Sequence, residues 1–126
     1  MKNLLSATLI LGLTALATFG AQADVTGTFT GASDHITTGG ITIVKNADGT
    51  ATVTLHEDFS LDGAPDPRVG FGKDGAYATE TDLGPLKNLT GGQTYIVPAS
   101  VSVDDFNEIY IWCLQFSVPL GVASLN

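Results

Sequence analysis

Ile41-Thr42-Ile43-Val44-Lys45-Asn46-Ala47-Asp48-Gly49-Thr50-Ala51-Thr52-Val53-Thr54-Leu55-His56 is the stretch on which the fold class turns. Two β-branched runs flank a loop that ends in Asp48-Gly49, a strong signal for a β-hairpin. Period-two geometry puts Ile41 and Ile43 on one face and Ala51, Val53 and Leu55 on another apolar face, with Thr50, Thr52 and Thr54 turned outward. Outward from this hairpin the pattern repeats: short alternating runs separated by Gly, Asp and Pro, with no segment keeping a 3.6-residue period for three turns. The expected fold is all-β, a single small antiparallel β-sandwich or partly closed barrel.

Further strands are predicted at Val25 to Thr30, His35 to Thr38 and Gln93 to Val97. Pro65 and Pro67 argue against a regular central strand through Asp58 to Gly75, with brief extension at Val69 to Phe71. Leu83-Gly84-Pro85-Leu86 and Asp104-Asp105-Phe106 read as turns. The strongest strand candidate is Glu108 to Val118, followed by a final run from Gly121 to Leu125. Alternation along it assigns Tyr110, Trp112, Leu114, Phe116 and Val118 to the core face. Ile109, Ile111, Cys113, Gln115 and Ser117 share the opposite, mixed face, which suits Cys113 to a pocket wall.

Residues 1–23 have the layout of a secretory leader: Lys2, an apolar run from Leu4 to Phe19, and the small-residue site Ala21-Gln22-Ala23. Cleavage there predicts a mature domain of residues 24–126, exported to a periplasmic or extracellular location and not inserted in a membrane. One domain is all that this length supports. The 126-residue chain has a formal charge of −8. Without Lys2 it keeps four basic residues against 13 acidic ones, a charge of −9 that repels nucleic acid.

Cys113 is the only cysteine, so no intramolecular disulfide can form. Its sequence neighbours include no Lys, Arg or His, which disfavours a free catalytic thiolate. No Ser-His-Asp order, paired-carboxylate site or phosphate loop stands out, and Gly70-x-Gly72 lacks both the third glycine and a helix. Asp58, Asp62 and Asp66 recur every four residues in a Gly/Pro loop, a weak calcium alternative, although Asp62-Gly63 is more simply a turn. Asn88-Leu89-Thr90 is a glycosylation sequon in a host that glycosylates.

Gly31-x3-His35 leading to Gly39 and Ile43-Val44, Phe59-x2-Asp62-Gly63-x-Pro65-Asp66, Leu83-Gly84-Pro85-Leu86, Tyr95-x-Val97-Pro98, Trp112-Cys113-x2-Phe116 and Leu120-Gly121-x-Ala123 follow one another in order. Together they resemble the DM-thirteen domain, the electron-transfer domain of Skeletor-type proteins, over roughly residues 27 to 125. The resemblance implies a small β-sandwich found beside DOMON and b-type cytochrome modules. It also implies a redox role around a cysteine that maps onto Cys113, either as a bare thiol or as a ligand to a group such as haem, and it places His35 at a family position. A redox protein or membrane cytochrome is the implied partner.

The residue types leave several readings of the cofactor open. Haem iron takes axial Cys or His, so Cys113 and His35, together with Trp112 next to the cysteine in sequence, are its candidate binding residues. Copper is disfavoured, because the mature chain has no Met for an axial position and no His follows Cys113. The alternatives are reversible thiol redox and a cysteine that only fills the core. His56 reads as a solvated edge residue. Two functions follow: an exported electron-transfer module without catalytic machinery of its own, or a non-enzymatic binding domain in which Cys113 is structural.

Overall fold

The computed structural model describes residues 24–126; the leader assigned to residues 1–23 lies outside the described residues. The strands are β1 (Val25–Gly31), β2 (Thr37–Thr38), β3 (Gly40–Lys45), β4 (Ala51–Leu55), β5 (Ser60–Leu61), β6 (Pro67–Lys73), β7 (Ala76–Tyr77), β8 (Gln93–Val97), β9 (Glu108–Cys113) and β10 (Val118–Ser124). Eight of them form one antiparallel sheet in the order β7-β6-β9-β10-β1-β3-β4-β8, and β2 pairs with β5 alone. The all-β expectation holds, in its partly closed form.

Strand β1 makes the curl. Its first half pairs with β3, Val25 opposite Ile43, and its second half pairs with β10, Phe29 opposite Ala123. One strand therefore belongs to two half-sheets, and their inner faces close over a shared core that includes Phe29, Ile41, Val53, Leu55, Phe59, Phe71, Ile109 and Ile111. The β3–β4 hairpin has the predicted register, with Ile43 opposite Val53 and Ile41 opposite Leu55. Ile41, Ile43, Ala51, Val53 and Leu55 are buried, while Val44 and the threonines are not. Fully burying each such side chain contributes about 1.5–3 kcal/mol. The β8 edge is guarded by Lys87, whose Nζ donates to the Thr94 carbonyl at 2.5 Å, and a charged lysine discourages further strand pairing.

Three expectations are corrected. The segment Glu108 to Val118 is not one strand: β9 ends at Cys113, and Leu114 to Ser117 turn into β10. Ser117 takes a left-handed φ of 52°, and the Leu114 N–H leaves the ladder to donate to the Asp66 carbonyl at 3.1 Å. The core face of β9 is also the reverse of the one predicted. Ile109, Ile111 and Cys113 are in the core, Trp112 is half-buried on the outer face, and Leu114 and Phe116 are exposed. Both faces of β9 are apolar, so alternation separates them but cannot say which one the sheet curls around. Finally, Pro67 opens β6, a seven-residue strand lying between β7 and β9. Proline is compatible with the first position of a strand, where no ladder donor is needed.

Candidate functional site: the loop end around Cys113

Antiparallel pairing carries three connections to one end of the half-sheet built from β6, β9 and β10. These are the segment after β1 (residues 32–36), the segment before β6 (residues 62–66) and the β9–β10 turn (residues 114–117). A register shift between Pro119 and Gly121 leaves Leu120 as an extra residue in β10. Such bulges free backbone groups from the ladder. Here the Leu120 carbonyl accepts from the Ala32 N–H at 3.0 Å and from Thr37 Oγ1 at 2.8 Å.

Cys113 closes β9 opposite Pro67 of β6 and Val118 of β10. Its side chain is 1% exposed, and Sγ donates to the Pro65 carbonyl at 3.2 Å. A carbonyl is only an acceptor, so this bond requires the thiol to keep its hydrogen. Pro65 is itself exposed, which puts the sulfur one loop residue below the surface.

On the other side of the same loop, Asp62 accepts from two groups. His35 Nδ1 approaches its Oδ1 at 2.8 Å, and the Ile36 N–H donates to its Oδ2 at 3.0 Å. A carboxylate only accepts, so Nδ1 is the donor, and in a neutral imidazole with this tautomer the lone pair is on Nε2. The Ile36 amide first, and the His35 hydrogen bond second, hold the Asp62 carboxyl below its ordinary value of 3.8. A depressed folded value means that the tether is present above the unfolded value and is lost as pH falls through the lower folded one. Hydrogen-exchange protection of the Ile36 amide is therefore expected to persist from neutral pH down to 3.8 and to fade only below it. Fading already at higher pH would show that the tether is not the Asp62 carboxylate.

The predicted residues are thus only partly brought together. His35 and Asp62 meet, and the loop that carries Asp62 also carries the acceptor for Cys113. Asp58 instead accepts from the Gly40 N–H at 3.0 Å, and Asp66 accepts from Arg68 Nε at 3.1 Å. The three aspartates have separate partners, and among the described residues no group of three His, Cys, Asp or Glu is placed to hold a metal ion. His56 is exposed at the sheet surface, with Nε2 2.6 Å from Thr42 Oγ1.

Trp112 faces away from the sulfur and stacks on Tyr77, with ring centroids 4.4 Å apart and planes 10° off parallel; Tyr110 meets both rings edge-on. The stack lies flat because Gly70 and Gly72 beneath it have no side chains. A Cβ at Gly70 would stand 2.7 Å from the Tyr77 hydroxyl oxygen, and one at Gly72 would overlap the Tyr110 ring. Burial first, and then the charge of Asp82, push the Tyr77 phenol up to about 12. Among the described residues its hydroxyl finds no hydrogen-bond partner. Tyr77 and Pro65 did not stand out in the sequence as site residues. The signal for Tyr77 was Gly70-x-Gly72, two glycines on one face of a strand, which leave a bare strip for an aromatic ring to cover.

With this geometry in place, comparison with known families becomes specific: residues 28–125 match the family model described as electron transfer DM13. The chain belongs to the electron transfer DM13 family. No curated protein and no solved structure matches it. The match spans β1 from its fourth residue through the whole of β10. The family match therefore takes in all of the curled sheet except the first three residues of β1, together with the whole loop end.

Proposed function

We propose that this DM13 domain is an exported electron-transfer module without catalytic machinery of its own, with the Cys113 sulfur as its redox-active atom and a redox protein or membrane cytochrome as its partner. The observation that carries this reading is the family match over residues 28–125, read beside the fact that Cys113 holds the sole sulfur of residues 24–126. The domain contributes a thiol at the end of β9, shielded by one exposed loop residue: oxidation passes one electron from the sulfur to the partner and the S–H proton to water, leaving a thiyl radical that the reverse transfer restores to the thiol. Trp112, next to it in sequence, presents its indole on the outer face in the stack with Tyr77.

Haem is the prosthetic group that these residue types could serve, with Cys113 and His35 as the candidate residues, because Trp112 is turned to the outer face in the stack with Tyr77. The fit to Cys113 is poor, because iron could reach the sulfur only after the Pro65 carbonyl had left it. His35 fits better as a single ligand, its Nδ1 being oriented by Asp62 and its Nε2 facing outward from that pair. The sulfur and the imidazole belong to two separate hydrogen-bonded pairs, so no step of the proposed function is routed through haem.

One observation favours a second reading, a non-enzymatic interaction domain. Cys113 is buried among core residues, as a structural cysteine would be. Film voltammetry of the wild type, Cys113→Ser and Cys113→Ala, together with an absorption spectrum of the protein from its native compartment, separates the two. The expected result is a redox wave in the wild type that both variants lose, while each variant costs only about 1–2 kcal/mol of stability through the altered hydrogen bond to Pro65. The same wave in all three proteins, or none in the wild type, would leave the interaction domain as the function.

A further inference from the structure

We propose that the loop end is a docking surface for a positively charged protein whose contact face has an apolar centre. The three connections are fastened to one another by hydrogen bonds: His35 and Ile36 to Asp62, Asp66 to Leu114, and Ala32 to the bulged Leu120. Each connection or its neighbour presents something a partner can read. Ile36, Leu114 and Phe116 are 69%, 44% and 62% exposed, which gives large apolar side chains on two of the three segments. The third supplies Asp66, and the first adds Asp34.

Backbone conformation sets this end apart independently. Five non-glycine residues of the described chain have positive φ, and four of them lie here: Ser33 at 53°, Asp34 at 64°, Asp66 at 48° and Ser117 at 52°. Conformations of this kind persist where the surroundings hold them, and they gather at functional surfaces.

Charge decides the occupant. Residues 31–36, 61–66 and 114–117 contain three aspartates and no Lys or Arg. The nearby Arg68 is engaged by Asp66 at 3.1 Å and faces Asp82 at 3.8 Å. A second copy of this chain would bring like charges together, and an anionic membrane would be repelled by the same field. A basic rim around an apolar centre is complementary, with the charges steering the encounter and Phe116 supplying the anchor. The surface rests on the electron-transfer reading in that it places a redox partner one loop residue from the Cys113 sulfur.

The test uses a basic c-type cytochrome, zinc-substituted so that binding is read without electron exchange. Titrated into the labelled domain, it is expected to shift amide signals of residues 31–36, 61–66 and 114–117, and its affinity should fall as salt is added. Phe116→Ser should weaken binding about tenfold, whereas Ile96→Ser, a control at an equally exposed apolar residue on β8, should stay within about twofold. Equal effects of the two substitutions, shifts elsewhere on the domain, or no binding would overturn the proposal. So would self-association that Phe116→Ser abolishes, or Phe116-dependent binding to phosphatidylcholine vesicles. Cys113→Ala should bind as the wild type does. Intact docking with no voltammetric wave would therefore sink the redox reading alone, and a Cys113-dependent wave without docking would sink this one alone.

Discussion

Phe59→Ala is expected to destabilise the domain by about 3–5 kcal/mol, the range for deleting a large aromatic from a packed core. Phe59 is 1% exposed, meets Phe29 edge-to-face at 5.5 Å, and has both backbone groups engaged, its N–H with His56 and its carbonyl with Gly91. Phe116→Ala is the control, expected within about 0.5 kcal/mol of wild type because its ring touches mostly solvent. Urea unfolding of the two variants checks both values. A larger loss for Phe116 than for Phe59 would restore the face assignment that alternation along residues 108–118 suggests.

The second large effect is expected at Gly39, where alanine should cost at least about 3 kcal/mol. Gly39 has φ of 104°, a region L side chains rarely adopt, and a Cβ there would stand 2.5 Å from the Cα and 2.7 Å from the backbone nitrogen of Phe59. Those are main-chain atoms and cannot swing aside as a side chain would. Gly63→Ala separates the two contributions. Its φ of 114° is as unfavourable, but a Cβ there meets nothing within 4 Å, so only the conformational cost of about 1–2 kcal/mol remains. Matching thermal and urea unfolding curves for the two variants would show that the approach of Gly39 to Phe59 is not a tight contact.

The core of the first half-sheet was legible in the sequence because its residues obey one local rule. From Ile41 to Ile43 and through β4, apolar and threonine positions alternate, with Val44 the one apolar residue turned outward, so period two names the buried face without reference to any other strand. Gln93 to Val97 was legible as an extended run but not in its facing, because the buried set includes the polar Gln93 and the exposed set the apolar Ile96. The second half-sheet follows no such rule. β6 has four consecutive buried residues, Val69 to Gly72, and β9 has three, Ile109 to Tyr110 and Ile111. Tyr77 and Trp112 cover part of its outer face with their own stack, so apolar character appears on both sides, and size alone wrongly favoured the aromatic side.

The site shows the same division. Cys113 and His35 were singled out by residue type and by the ordered motifs of the family, and Asp62-Gly63 was already more simply a turn than a cation site. That Asp62 orients His35 across 27 residues, and that Pro65 caps the sulfur across 48, depends on which loops the antiparallel register carries to one end. By itself the sequence determined the all-β class, the β3–β4 hairpin and the family, because strand periodicity, turn chemistry and ordered motifs are all local along the chain. Only the tertiary structure decided which face of β9 is core, where its strand stops and which aspartate meets which partner. Those outcomes depend on the curl of the sheet at β1 and on contacts between segments far apart in the chain, which no local spacing encodes.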